Sequence, residues 1–247
     1  MINAMIFAAG LGTRLKPYTA NCPKALVELA GKPLLEHCIL KLKAFGVDRI
    51  VINVHHFADQ IEEFLLSKDN FGMDIRISDE RELLLDTGGA IKNARPLFIP
   101  NAPVLIYNVD VLSSLKLEDL FAAHQRSQSL ATLNMRDKNT SRCLCFNKEG
   151  LLSGWKDEAK GEVKIVNETF NTSDDFSFSG IHIIDSQLLD LIEEEAVFSI
   201  IDLYLRLAKN HRIAGYYDTS DIWMDLGKPE QLQKAEELLK TDLNGSY

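Results

Sequence analysis

The chain has 247 residues, 46% hydrophobic and 26% charged, an ordinary globular composition that suits one large domain or two small ones. It is long enough to bury a core without metal or disulfide support. The formal net charge of -9, with no long basic stripe, excludes a nucleic-acid partner, so any phosphate site must be a local cluster of Lys, Arg and backbone N–H groups. From the N-terminus, Asn3 to Ala8 is a short apolar run, predicted as a strand covered on both faces. It is too short to span a membrane and lacks the basic flank of a signal peptide, so the cytoplasm is the expected compartment. Pro33 to Phe45 carries Leu34, Leu35, Cys38, Ile39, Leu42 and Phe45 at helical spacing, and Gly46 suits the helix end. Arg49 to Val54 predicts a strand, Ala58 to Leu66 a helix with Ile61, Phe64 and Leu65 on one face, and Asp74 to Ser78 another strand. Gly89 to Ala94 predicts a short helix and Val104 to Val109 a buried strand.

This βαβα order predicts an α/β fold with a Rossmann-like, mostly parallel sheet flanked by helices. In such sheets ligands bind beyond the carboxyl ends of the strands. Gly10, Asp79 and Asp110 each follow a predicted strand directly and should lie along that edge.

After about Ser127 the order becomes more β-rich. Leu130 to Met135, Arg142 to Phe146 and Phe176 to Ile184 predict strands, and Asp157 to Asp175 is polar and irregular, the pattern of a mobile loop. Ser186 to Glu194 and Ser199 to Lys209 predict helices, and Trp223 to Leu226 a short strand or turn. Pro229 to Lys240 predicts a closing amphipathic helix with Leu232, Ala235, Leu238 and Leu239 inward. No repeat or linker is evident, so 1–247 is expected to be one continuous unit. Cys22, Cys38, Cys143 and Cys145 follow no disulfide or zinc spacing. Cys143 and Cys145, two apart on a strand, should face the same way, into the core. Four glycosylation sequons, beginning at Asn139, Asn167, Asn171 and Asn244, carry no weight without a secretory signal.

Four constellations could carry chemistry. The first is Ala8-Ala9-Gly10-Leu11-Gly12-Thr13-Arg14-Leu15, followed by Pro23-Lys24-Ala25-Leu26. Glycines after a strand let backbone N–H groups cradle phosphate, with Arg14 and Lys24 as cationic donors. A dinucleotide fingerprint needs glycine where Leu15 stands, and the Gly-Lys-Ser/Thr of a Walker loop is absent. The second is Asn108-Val109-Asp110, where a carboxylate ending an apolar strand suits Mg²⁺ or, equally in pattern, a turn. The third is Trp223-Met224-Asp225-Leu226-Gly227-Lys228-Pro229-Glu230, with Asp225 as a second metal carboxylate or a turn residue. The fourth is Asp86-Thr87-Gly88-Gly89-Ala90, whose glycines permit close approach by a flat ligand or simply open a helix. His55-His56 ends a strand but has no third metal ligand placed beside it.

In order and strand-end placement these motifs resemble the sugar-1-phosphate nucleotidyltransferase family. Its members begin Ala-Gly-Gly or Ala-Ala-Gly, continue Gly-Thr-Arg-Leu-x-Pro-Leu-Thr and then Pro-Lys-Pro. This chain has Ala8 to Leu15, Lys16-Pro17-Tyr18-Thr19 and Pro23-Lys24-Ala25. Its length and Thr87-Gly88-Gly89 look most similar to the N-acetylmuramate 1-phosphate uridylyltransferases, with mannose 1-phosphate guanylyltransferase-like proteins close behind. The resemblance implies the nucleotide-diphospho-sugar transferase fold, with 1–127 binding nucleotide and 128–247 binding sugar phosphate. It implies Mg²⁺-dependent transfer of a nucleoside monophosphate from a nucleoside triphosphate, UTP or GTP, to a sugar 1-phosphate, releasing pyrophosphate. Neither a membrane nor an appended acyltransferase or β-helix domain is expected, and the oligomeric state is left open.

Residue by residue, the resemblance implies that Ala8, Ala9, Gly10, Leu11, Gly12, Thr13, Arg14, Lys24, Gly88, Gly89 and Asn108 bind the nucleotide. Gly88 and Gly89 would pack against the base. Arg14, Lys24 and Asp110 would be catalytic, Asp110 and Asp225 would bind Mg²⁺, and Lys156 and Gly180 would meet the sugar phosphate. Three departures stand out. Val109 replaces a frequent glycine and should crowd the ribose unless the loop shifts. Trp155-Lys156-Asp157 stands where the family has Glu-Lys-Pro, and Asp86 replaces Glu. Glu80 or Glu82 on a charged loop could accept both N–H groups on one edge of guanine, which keeps GTP open. A non-catalytic sugar-nucleotide sensor is the rival reading, and a phosphocholine cytidylyltransferase would need an aromatic cage the sequence does not show.

Overall fold

The computed structural model describes residues 1–138 and 140–242, so the sequons at Asn139 and Asn244 fall on residues outside that description. Strand β1 (Asn3–Phe7), buried from Asn3 to Ile6, lies within a ten-stranded sheet. Two short strands, β2 (Glu28–Leu29) and β3 (Lys32–Pro33), form a hairpin leading into helix α1 (Leu34–Phe45). Gly46 closes α1 at φ 90°, its N–H donating to the carbonyls of Leu42 and Lys43, a left-handed cap that glycine adopts freely. Then come β4 (Arg49–Val54), α2 (Ala58–Ser67), β5 (Asp74–Asp79), α3 (Asp86–Ala94) and β6 (Val104–Asn108). β1 runs parallel to β4 and β6, and β4 parallel to β5. Phe7 lies opposite both Asn53 and Asn108, and Val54 opposite Asp79, so the segments that follow these strands share one edge.

Past β6 the chain forms β7 (Val111–Ser113) and α4 (Leu117–Ser127). Neither is marked in the sequence pattern. In α4 the inward positions are Leu117, Leu120 and His124, and the histidine breaks the apolar signature. The remaining elements are β8 (Ala131–Asp137), β9 (Arg142–Phe146), β10 (Leu152–Asp157), β11 (Glu162–Ile165), β12 (Asp174–Ile184), α5 (Ile200–Leu207), β13 (Ile213–Tyr217), β14 (Trp223–Asp225) and α6 (Pro229–Asp242). β12 joins the two halves of the sheet. It runs antiparallel to β6 along Ile181–Ile184, to β9 along Asp174–Phe176, and to β8 on both sides of a bulge between Phe178 and His182. β8 in turn pairs parallel with β13.

Two expectations are corrected. The segment Asp157 to Asp175 is not a mobile loop: it holds β11 and a 3-10 turn over Glu168–Thr172. All four β11 residues are exposed at the sheet edge, which explains the missing hydrophobic signature. Ser186 to Glu194 is a 3-10 turn ending at Leu191, started by the Asp185 side chain accepting from Gln187 N, rather than an α-helix.

The core has two parts, one on each face of the sheet. One packs Leu35, Ile39 and Leu42 of α1, Ile61 of α2, Leu120 of α4 and Leu232 of α6 against β1, β4 and β6. The other packs Ala90 and Ile91 of α3 and Leu203 and Tyr204 of α5 against Met5, Val51, Ile106 and Leu133. Among the described residues no helix is long and apolar enough to cross a membrane.

Candidate active site

The loop after β1 is held from beneath and open above. Ala8 N donates to Asn53 Oδ1 at 2.8 Å, which ties the loop to β4. Gly12 has φ 62°, and a Cβ there would stand 2.9 Å from Thr19 Cγ2 and 3.2 Å from Lys24 Cβ. Only glycine satisfies both the left-handed backbone and that contact. The Gly12 carbonyl accepts from Thr19 Oγ1 at 2.8 Å and from Leu15 N at 2.9 Å. Leu15 is fully buried, so the position where a dinucleotide fingerprint has its third glycine is here a core plug. Among the described residues nothing lies within 4 Å of a Cβ built on Gly10, and Gly10, Leu11, Thr13 and Arg14 are exposed.

Three chain segments converge beside this loop. Lys24 Nζ makes an ion pair with Asp110 Oδ2. Asp110 lies between β6 and β7, and β7 pairs antiparallel with β14 so that Asp225 faces Val111. Leu226 N donates to the Asp110 carbonyl at 2.8 Å, and Gly227 N to Asp225 Oδ1 at 2.7 Å. A Cβ on Gly227 would lie 2.7 Å from Asp225 Oδ1, 3.1 Å from Arg14 Nη2 and 3.4 Å from Lys24 Nζ. Arg14, Lys24, Asp110 and Asp225, separated by up to about two hundred residues, therefore crowd one point. The sequence marked Gly227 only as part of a turn. Its own role, keeping that point free of side chain, needed the fold. Asp225 on β14 and Asp110 in the turn before β7 bring together two carboxylates, hard oxygen donors of the kind Mg²⁺ takes alongside substrate phosphates.

Val109 does not crowd this edge. It is buried, belongs to the core beneath α1, and its carbonyl accepts from Cys38 Sγ at 3.6 Å. Its side chain points inward and the loop needs no shift, which removes the expected clash.

Gly88 and Gly89 lie close against another segment of the chain. A Cβ on Gly88 would stand 2.2 Å from the Phe198 ring, and one on Gly89 2.0 Å from the Ala196 carbonyl. Gly88 N donates to the Phe198 carbonyl at 2.9 Å and Gly89 N at 3.3 Å. The Cβ sides of both glycines therefore pack against the segment before α5. Glu80 does not sit on the exposed charged loop that the sequence pattern predicts. It is buried, with Oε1 accepting from Asn53 Nδ2 at 2.8 Å and Oε2 from Leu85 N at 3.1 Å. Burial pushes its carboxyl up, although the bonds from Asn53 and Leu85 oppose this. Asn53 thus bridges Ala8 and Glu80, a link the sequence did not reveal. Glu82 is exposed.

Asn108 and Gly180 meet directly. Gly180 has φ 81°, and a Cβ on it would stand 2.6 Å from Asn108 Nδ2. The adjoining bulge of β12 is anchored by Trp223 Nε1 donating to the Ser179 carbonyl at 3.0 Å, and by Asn134 Nδ2 donating to Ser179 Oγ at 2.8 Å. Further out, Lys156 Nζ pairs with Asp175 Oδ1 at 2.9 Å and lies 5.1 Å from the Phe170 ring centroid. The ion pair with Asp175 holds the Lys156 ammonium above its usual range. Asp175 closes the polar stretch that the sequence pattern predicts as a loop, so the sequence does not mark it.

A family model described as nucleotidyl transferase matches residues 3–242. The N-acetylmuramate alpha-1-phosphate uridylyltransferase of Caulobacter vibrioides is 34% identical, over 94% of this chain and 95% of its own. The mannose-1-phosphate guanyltransferase of Gibberella zeae is 30% identical over 93% of this chain, which spans 62% of that protein. A putative glucose-1-phosphate thymidylyltransferase from Bacillus anthracis shares the fold at a TM-score of 0.80, with 19% identity over 100% of this chain and 98% of its own. With the glycine loop, its basic residues and the two carboxylates at one sheet edge, the chain belongs to the nucleotidyl transferase family of enzymes.

Proposed function

We propose that the enzyme transfers a nucleoside monophosphate from a nucleoside triphosphate to a sugar 1-phosphate with Mg²⁺, releasing pyrophosphate, and that UTP and N-acetylmuramate 1-phosphate or a related sugar are its substrates. The observation that carries the reading is the meeting of Arg14, Lys24, Asp110 and Asp225 around Gly227. UTP is favoured over GTP by the uridylyltransferase relative, alike over nearly the whole of both chains. It is also favoured because both Glu80 oxygens are already bonded within the protein, so Glu80 is not free to read guanine.

A phosphate oxygen of the sugar 1-phosphate attacks the α-phosphorus in line, and pyrophosphate leaves opposite. The attacking monoester is largely ionised near neutral pH, so no side-chain base has to remove a proton. The protein's work is positioning and charge neutralisation. The open backbone of Gly10 to Arg14 holds the triphosphate. Lys24 exchanges its Asp110 partner for a phosphate oxygen, and Arg14 offsets charge on the leaving pyrophosphate. Asp110 and Asp225 would hold Mg²⁺, which when bound supplies a Lewis acid for phosphate oxygens. Lys156 and Gly180 face the sugar phosphate. The setting we infer is nucleotide-sugar biosynthesis in the cytoplasm.

The test is pyrophosphate release with Mg²⁺ across the four ribonucleoside triphosphates and N-acetylmuramate, mannose, glucose and N-acetylglucosamine 1-phosphates. Release with UTP and N-acetylmuramate 1-phosphate, lost in Asp110→Asn, supports the proposal. Release only with GTP and mannose 1-phosphate replaces the substrates. A folded protein that binds nucleotide yet releases nothing with any pair points to a sensor.

A further inference from the structure

A second donor cluster lies on the outer part of the sheet. Cys143 and Cys145 are two residues apart on β9, so both thiols leave the same face. β12 sets Asp175 opposite Cys145, whose Sγ stands 3.3 Å from Asp175 Oδ1. The two sulfurs and a carboxylate oxygen all lie within 4.8 Å of one another. Both cysteines are buried, whereas Asp175 keeps 22% of its side chain exposed, so the carboxylate side of the cluster is the one that meets solvent.

We propose that Cys143, Cys145 and Asp175 form a binding site for a thiophilic divalent cation such as Zn²⁺, separate from the Asp110–Asp225 pair. Two thiolates, a carboxylate and a water match the tetrahedral donor sets of such ions, while Mg²⁺ prefers all-oxygen surroundings. Binding sends the two thiol protons to solvent and leaves three negative ligands around a 2+ ion. The ammonium groups of Lys156, at 2.9 Å from Asp175, and Lys138, at 3.6 Å, offset the excess. A disulfide is the weaker reading. Same-face neighbours on a strand stand about 6.6–6.8 Å apart, at the far end of the disulfide Cα range, with parallel Cβ directions. An ion here takes an Asp175 oxygen that now binds Lys156, so filling the site loosens that lysine.

The experiment is a Co²⁺ titration of the phosphine-reduced full chain carrying Cys22→Ser, followed by absorbance. Expected are a sulfur-to-cobalt charge-transfer band and tetrahedral visible bands that saturate at one equivalent and are displaced by Zn²⁺. Cys143→Ser and Cys145→Ser each remove at least half of the band, and Asp175→Asn weakens binding about tenfold or more. Absence of any such band in the Cys22→Ser protein overturns the proposal without recourse to the buried variants. A band that survives both cysteine substitutions overturns it as well.

Discussion

The centre around Gly227 and the outer ribbon around Lys156 use the same parts, a lysine held by an aspartate, in different settings. Lys24 and Asp110 come from segments 86 residues apart and are fixed by the Gly12 turn, β7, β14 and the turn before α6. Their side chains are 11% and 19% exposed. Lys156 and Asp175 lie on β10 and β12, the two neighbours of β9, near a sheet edge, and the lysine is 29% exposed. A group locked by several distant segments cannot adjust without moving the fold, which suits a charge that must already be in place in the transition state. A group on an outer antiparallel ribbon can change with little cost to the core, which suits substrate choice.

Three substitutions sharpen this contrast. Asp110→Asn should lower kcat/KM about 10²–10³-fold, roughly 3–4 kcal/mol of transition-state stabilisation, with circular dichroism unchanged. Near-normal turnover would remove Asp110 from the centre. Gly12→Ala should cost about 1–2 kcal/mol of stability from the left-handed backbone, and should lower kcat about tenfold by pushing Lys24. A variant with wild-type Tm and kcat would mean that the turn is not what seats Lys24. Lys156→Met should cost about 1 kcal/mol, seen as a roughly fivefold higher KM for the sugar 1-phosphate with kcat nearly unchanged. If kcat falls as far as in Asp110→Asn, the two lysines are not doing different jobs.

The same contrast governs how much could be read in advance. β1, α1, β4 and β6 are covered on both faces or show a clean apolar stripe, so their pattern states their structure. The glycine loop and the strand-end aspartates were legible as residues placed where packing alone would not put them, and the fold brings them to one edge. β11 was not legible, because all its residues are exposed, and Asp175 was lost with it. Gly88 and Gly89 were legible as close-approach glycines, but their neighbour, Phe198, lies 110 residues on, beyond any local pattern. Val109 looked anomalous because sequence cannot tell which way a side chain turns at a strand end. Here it turns into the core.

A test of another kind, in stability rather than turnover, concerns β12, the strand both regions share. His182 is 1% exposed there and pairs in register with Ile106 and Leu133. Its ring packs against Phe178 and Tyr204, with centroids 5.2 Å and 5.6 Å away, and among the described residues neither of its nitrogens nor the Tyr204 hydroxyl has a hydrogen-bond partner. Burial pushes its pKa down to about 3. In the unfolded chain a histidine titrates near about 6.5, so between those values the unfolded state carries a proton that the folded state refuses. The contribution is therefore complete above about pH 6.5 and is lost as pH falls toward 3, with a slope of up to about 1.4 kcal/mol per pH unit. His124, also buried, is shifted the same way, while Asp175 and Asp218, whose carboxyls are held low, add their loss only below about pH 4. Urea midpoints at about pH 7.5 and 5.5 should therefore differ less in His182→Gln than in the wild type. Comparing slopes removes the cost of the substitution itself. An unchanged slope would mean that His182 can take up its proton in the folded state, and that the strand joining the two regions is less dry than its packing indicates.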